Sequence, residues 1–287
     1  MKNHHTKKLR PSGLSTLPCL VHGLCVSAGL LACNANQTPI SNPPPADLSC
    51  VPNRDGQISA DEIQIATTAA NYIESPAGVA RTVNSQGTGD ATARRWDFST
   101  EFSDDQDITI TPTALGAQWY ASQFPDGEFV IDAGSGLDAI YSKDDRALWL
   151  WGTASHVDMP ASAKTIIRYP TPVPALRFPV VVGNTDDVTV AITGATIAGL
   201  PFVGTDRFQI AVADAGQVEV PYVRFSPALK VTTIVTRIAN PGGATFVRRS
   251  LSFLFECFGE VVHIDSAVNE ANPDFTNAAL LRRFRLP

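Results

Sequence analysis

The residues best placed for chemistry lie in the stretch CVPNRDGQISADE, residues 50–62. A calcium loop of the EF-hand type takes oxygen ligands at positions 1, 3, 5, 7, 9 and 12, with glycine at position 6 for its sharp turn. On that template Asn53 falls at position 3, Asp55 at 5, Gly56 at 6, Gln57 at 7 through its carbonyl, Ser59 at 9 and Glu62 at 12. Position 1 is Val51, which brings no side-chain oxygen, and Pro43, Pro44 and Pro45 forbid an incoming helix. Only Asp55 and Glu62 add charge, so a calcium site here is weak, in the ~10⁻⁴ to 10⁻³ M range of extracellular modules. The competing reading is an Asp-Gly turn that feeds the first strand and is tied down by Cys50.

Other constellations are thinner. Beyond residue 32 the chain has two histidines, His156 and His263. This excludes a histidine-rich zinc site, and a Ser-His-Asp triad would have to use one of the pair. Gly134-Ser135-Gly136 lacks the outer glycine of a nucleophile elbow, since Ala133 stands in its place, and reads as a loop. The acidic run DFSTEFSDDQD, residues 97–107, offers carboxylates for a cation or an acid-residue hydrolase, with a solvated loop as the plainer account. Trp149 and Trp151 share one face of a strand, as a sugar-stacking platform would, but Leu148 and Leu150 make the other face apolar and favour a strand buried on both sides.

The elements that must position these groups follow from composition and pattern. The 287 residues are 44% hydrophobic and 17% charged, enough for one large core or two modest ones. Lys2, Lys7, Lys8 and Arg10 precede an apolar run from Leu14 to Ala32 without an acidic residue, the layout of a secretory signal. Pro18 and His22 make that run a poor membrane span. Leu30-Leu31-Ala32-Cys33 resembles a bacterial lipobox, which implies acyl chains on Cys33 and attachment to a membrane surface. Asn34, in place of the Asp that holds such proteins at the inner membrane, points to the outer membrane of a Gram-negative envelope.

Removing residues 1–32 leaves 18 Lys plus Arg against 28 Asp plus Glu, a net charge of −10. Such a chain is a poor partner for nucleic acid, whose binding relies on Lys and Arg at phosphates. Cys19 and Cys25 leave with the signal and Cys33 takes the lipid, so Cys50 and Cys257 remain. An oxidising compartment favours a bridge between them, the alternative being a buried Cys257 and a free Cys50 thiol.

Residues 33–49 form a flexible, proline-rich tether. The remainder reads as antiparallel β in two units, 50–168 and 180–287, joined by the proline-rich connection YPTPVPALRFP at 169–179. Phe208, Ile210 and Val212 alternate with polar residues and lead through Asp214-Ala215-Gly216 to Val218 and Val220, which predicts a hairpin. Leu229–Ile238, Asn240-Pro241-Gly242-Gly243 and Phe246–Cys257 predict a second. In the last strand Leu251, Phe253, Phe255 and Cys257 share the core face, and Arg248, Ser250, Ser252 and Glu256 the wet one. Asn272 as N-cap and Pro273 at the first helical position predict a short helix near the end.

The lipobox, the CxPNxDGxI loop, Phe124-Pro125, Arg177-Phe178-Pro179 and Glu256–Val261 (ECFGEV) together resemble a family of uncharacterised lipoproteins of myxobacterium-like bacteria. The likeness spans most of the chain beyond the signal. It adds support to a Cys50–Cys257 pairing and transfers no catalytic residue. More faintly, Gly216–Val231 resembles envelope proteins built on a curved antiparallel sheet wrapped around a short helix, some of which carry lipids. The expectation is a lipid-anchored envelope protein with a structural or binding role, no catalytic activity and no cofactor beyond weak calcium. The first alternative is a carrier for a lipid or other apolar ligand, with Phe246, Phe253 and Phe255 lining a concave sheet. The second is a hydrolase using the acidic run.

Overall fold

Apolar and polar residues alternate through most of the chain beyond Cys50, and the computed structural model turns that period of two into strand almost throughout. The structure describes residues 50–286 apart from 66, 67 and 241. The signal segment 1–32, the lipidation site Cys33 and the tether 33–49 lie outside the described residues. Six short strands come first: β1 (Ala70–Glu74), β2 (Arg81–Thr82), β3 (Arg95–Asp97), β4 (Gln106–Ile110), β5 (Thr113–Ala114) and β6 (Phe129–Asp132). They are followed by β7 (Leu137–Lys143), β8 (Ala147–Ser155), β9 (Ile166–Arg177) and β10 (Thr185–Ile197). The longest, β11 (Leu200–Val220) and β12 (Val223–Ala239), lead to β13 (Thr245–Phe255), β14 (Gly259–Ser266) and β15 (Asn277–Phe284). Helix among the described residues is limited to four three-residue 3₁₀ turns. The fold is mainly β and antiparallel, as the sequence predicts.

All strands belong to one sheet, ordered β4-β1-β15-β14-β13-β12-β11-β10-β9-β8-β7-β6-β5, with β2 on β15 and β3 on β11. The strands at its two ends, β4 and β5, are consecutive in the chain and separated only by Thr111 and Pro112. A flat path of 13 strands would hold its ends roughly 55–60 Å apart at about 4.8 Å per step. The two-residue link spans at most ~11 Å. The sheet must therefore roll round on itself until its edges meet, although β4 and β5 do not hydrogen-bond to each other. β-Bulges supply the bending. They interrupt the register of β11 against β12 between Val212 and Asp214 and between Gly216 and Val218, and that of β8 against β9 at two places.

Four sequence expectations are corrected here. The connection at 169–179 is not a linker, because residues up to Arg177 belong to β9 and the described residues share one continuous sheet rather than two units. Pro170 and Pro172 are tolerated because the register of β9 against β8 jumps from Val173 to Arg168, leaving 169–172 without a partner there, while β9 pairs with β10 only at Ile166 with Thr196. Asp214-Ala215-Gly216 is no hairpin turn but the bulged middle of β11. Gly216 also admits β3, the one parallel neighbour, since a Cβ there would lie 2.3 Å from the Arg94 carbonyl oxygen. Asn272 caps an Asx turn, its Oδ1 accepting the Asp274 N–H at 3.0 Å, and no helix follows.

The expected β12–β13 hairpin is present, with Ile238 opposite Thr245. Leu251, Phe253 and Phe255 pack outward from the rolled sheet against Trp96, Phe98 and Phe275 in a core covered by the segment that carries β2 and β3. Trp96 Nε1 and the buried Lys230 Nζ both donate to the Ser85 carbonyl oxygen, at 3.2 and 2.7 Å. A second core lines the inside of the roll with Ile167, Tyr169, Phe208, Ile210, Val212 and Val231. A third, around Tyr120, Phe124 and Ile140, fills the space beneath β6–β8.

Cys50 and Cys257 form a disulfide, with Cα atoms 5.5 Å apart and 207 positions between them in the sequence. Cys257 does not continue the inward face of β13, because the strand ends at Phe255 and Cys257 takes a left-handed conformation, φ 68°, in the following turn. Glu256, expected on the wet face, is buried, and its Oε2 accepts the Arg54 N–H at 2.6 Å. The Cys257 N–H donates in turn to the Glu62 carbonyl oxygen at 2.9 Å. The opening loop is thus clasped onto the β13–β14 turn by one covalent bond and two hydrogen bonds. Closing so long a loop is worth about 5 kcal/mol in the chain-entropy model. Replacing both cysteines with serine is expected to lower unfolding stability by about 2–5 kcal/mol, measured as a drop in the urea midpoint.

Candidate functional site

Register places three rows of side chains on the inner surface of the roll. Val188, Phe208, Val235 and Arg248 form the first, one step in from Val190, Asp206, Arg237 and Phe246 at one mouth. Ile210, Thr233, Ser250 and Asp265 form the next, and Val212, Val231, Ser252, His263, Arg282 and Glu74 a third. In these three rows β10–β12 supply the apolar members and Thr233, and β13–β15 and β1 supply polar ones. The inner surface is therefore divided lengthwise into an apolar wall and a polar wall.

At that mouth lies a cavity of about 670 Å³, within the range of small-molecule sites. Leu150, Ile167, Ile197, Phe202, Phe208 and Val235 make its apolar walls. Gly152 permits β8 and β9 to close on each other beside it: its φ is 148°, and a Cβ would sit 2.0 Å from the Ile167 carbonyl oxygen. Leu200 and Val268 at the rim are 70% and 56% exposed, so the mouth shows hydrocarbon to solvent. Phe246 also lines it, half-exposed, as expected of a carrier, whereas Phe253 and Phe255 belong to the outer core and do not.

Polar atoms converge on one wall. The Tyr169 hydroxyl donates to Asp206 Oδ2 at 2.8 Å, and Arg237 donates through Nε and Nη2 to both oxygens of the same carboxylate, at 2.8 and 2.7 Å. Asp206 is fully buried. Burial first, then the Asp206 charge, pushes the Tyr169 hydroxyl well above its usual range, so it stays protonated and donating. The guanidinium stands 5.8 Å from the Phe202 ring centroid. A fork-like pairing of this kind holds a buried carboxylate that would otherwise be costly. Arg237→Ala is expected to lower stability by about 3–5 kcal/mol, because it strands the Asp206 charge in the interior; chemical denaturation measures it, and Asp206→Asn in the same background should recover part of the loss.

On the polar wall, His263 sits between two carboxylates. Its Nδ1 is 2.9 Å from Glu260 Oε1 and its Nε2 3.3 Å from Asp265 Oδ1. Ser252 Oγ lies 3.3 Å from Nδ1 but donates to Glu260 at 2.5 Å. Burial alone would depress the imidazole; Glu260 and Asp265 outweigh it and push its pKa up to about 10. Asp265 is held at about 2 by the same histidine, against the effect of burial. A histidine protonated on both nitrogens cannot accept a proton from Ser252 near neutrality, so this trio of triad-like residue types is an ion-pair clamp. Its histidine part stabilises the fold fully below about pH 6.5 and is lost as pH rises through about 10. Its Asp265 part is present above 3.8 and lost as pH falls through about 2. Urea midpoints measured from pH 6 to 10 should fall in the native protein, and His263→Gln should remove that component of the slope.

The remaining candidates have structural partners. His156 Nε2 is 3.2 Å from Asp138 Oδ1, and Tyr120 donates to the other Asp138 oxygen at 2.5 Å. Gly134 and Ser135 form a loop as expected and line the cavity rim. Trp151 is half-buried and donates to Ser142 Oγ at 2.8 Å rather than presenting a stacking face. The acidic run is largely exposed, as a solvated segment would be, but it is tied down by arginines: Arg81 binds Asp104 at 2.6 Å and Asp105 at 3.0 Å, Arg285 binds Asp107, and the fully buried Arg283 binds Asp105 and the Phe98 carbonyl oxygen. These pairs strap the run over the outer core.

The four candidate calcium ligands sit in the clasped opening loop. Glu62 accepts from Asn53 Nδ2 at 3.2 Å on one oxygen and from the Ser59 N–H and hydroxyl on the other. Asn53 Oδ1 takes the Asp55 N–H and Asp55 Oδ1 the Gln57 N–H, each at 2.8 Å. The side-chain oxygens of Asn53, Asp55 and Glu62 thus hold successive turns of the loop. Among the described residues no three His, Cys, Asp or Glu side chains form a metal-binding group, and no helix is long and apolar enough to cross a membrane.

Sequence reasoning missed Tyr169, Asp206, Arg237 and Arg248 as a site. A signal was present: Asp206 heads the inward series Phe208, Ile210, Val212, and Arg237 ends the inward series Val231, Thr233, Val235. Opposite charges at inward positions of two strong β runs imply a buried pair. Compared with protein-family models, curated proteins and solved structures, the chain matches none.

Proposed function

We propose that the chain is a lipid-anchored envelope protein that acts by binding, holding an apolar ligand in the mouth of its rolled sheet. The observation that carries this reading is the cavity of about 670 Å³, walled by aliphatic and aromatic side chains and open through an apolar rim. Monomeric surfaces that show contiguous hydrocarbon around a concavity are commonly ligand or membrane contacts. The bridged Cys50 and Cys257 suit an oxidising compartment, which supports an envelope location. Attachment through Cys33, export by residues 1–32 and the outer-membrane address from Asn34 rest on the sequence and on its resemblance to bacterial lipoproteins. Membrane lipid is then the partner at the anchor, and a charge of −10 beyond the signal leaves nucleic acid out.

Native mass spectrometry of protein purified from its own membranes tests both parts. The expected spectrum shows acyl mass on Cys33 and a copurifying apolar small molecule. Val235→Trp, which fills the cavity, should keep the acyl mass and lose the small molecule. Protein that carries no such molecule, even after incubation with lipid extract, would overturn the binding role.

A further inference from the structure

Resting on that reading, the charges around the cavity identify the class of ligand. The lining includes two arginines and neither aspartate nor glutamate. Arg237 is committed, since both its donating nitrogens face the buried Asp206 carboxylate. Arg248 is different. It is exposed, lies in the inner row beside Val235 and Phe208, and takes part in none of the ion pairs within 4.0 Å found among the described residues. The nearest inner-row carboxylate, Asp265, feels the Arg248 charge, but its short contact is with His263 at 3.3 Å, so no carboxylate is in ion-pair contact with Arg248. The mouth thus sets one available guanidinium against an apolar wall, with Leu150, Ile167, Ile197 and Phe202 on the far side.

We infer that the cavity takes an anionic amphiphile of the fatty-acid class, its carboxylate paired with Arg248 at the mouth and its hydrocarbon chain laid against the Ile167–Phe208 wall. Arginine suits the task because its planar fork meets a carboxylate with two parallel hydrogen bonds and its stem lies comfortably on apolar surface. A neutral lipid of the same chain length would fill the wall and leave the guanidinium facing water, gaining nothing from it.

The test uses the full chain and two probes that differ only in charge, 11-(dansylamino)undecanoic acid and its methyl ester, titrated by fluorescence at low salt. Native protein should bind the acid about tenfold more tightly than the ester, the size of one charge-assisted contact. Arg248→Gln should erase that ratio while leaving the ester unchanged, and Arg248→Glu should invert it. Arg248 is exposed and outside the ion pairs, so these variants keep the fold; an unchanged urea midpoint checks this. Equal binding of acid and ester by native protein would overturn the charge assignment and leave the cavity's binding role intact. Failure of both probes to bind, with Val235→Trp indistinguishable from native protein, would overturn the binding role itself.

Discussion

Thr111 and Pro112 join the two ends of the sheet, and most of the architecture follows from that short link. Because β4 and β5 cannot be more than ~11 Å apart, the strands between them have to roll, and a rolled sheet has an inside. The bulges in β8, β9 and β11, the peeling of β9 from β10 and the glycines at 152 and 216 are the local means by which the roll is made. The cavity at its mouth is a consequence of the same curvature, since no flat sheet of these strands would bring Ile167 and Phe208 to face Arg248.

The roll also sorts its interior by chemistry. Apart from the Asp206–Arg237 pair and Thr233, β10–β12 present hydrocarbon inward, while β13–β15 and β1 present mostly serine, histidine, arginine and carboxylates. Most charged groups on the polar side are matched in place, His263 by Glu260 and Asp265 on its own strand and Arg282 by Glu74 on the neighbouring one. Such matching lets charged groups sit inside a fold without the penalty of an uncompensated charge. It also means that the chemistry of the interior is mostly spent on holding the strands in register, and leaves Arg248 as the group turned toward the opening.

Much of the strand content was legible because a period of two survives in short windows: the β12–β13 hairpin can be read residue by residue from Leu229 to Phe255. Long-range organisation was not. Three prolines at alternate positions read as a break, and only the pairing of the flanking residues with β8 makes Pro170, Pro172 and Pro174 part of a strand. Asp214-Ala215-Gly216 carries the vocabulary of a turn, but the pairing of β11 with β12 and β3 overrides it. The site was hidden for a similar reason. Asp206 and Arg237 are 31 positions apart and meet because their strands are adjacent, while Tyr169 reaches them across the roll.

The clasp at Cys50 has a mechanical side. A pull on the chain ahead of Cys50 does not first load β1, the short strand with which the sheet begins in sequence order. The covalent bond to Cys257 delivers the force to the turn between β13 and β14, two strands in the interior of the sheet. Load entering there is shared by hydrogen bonds on both sides of each strand, to β12 as well as to β15. The bridge thus works as a strain relief, isolating the curvature of the sheet from whatever tugs on its leading segment.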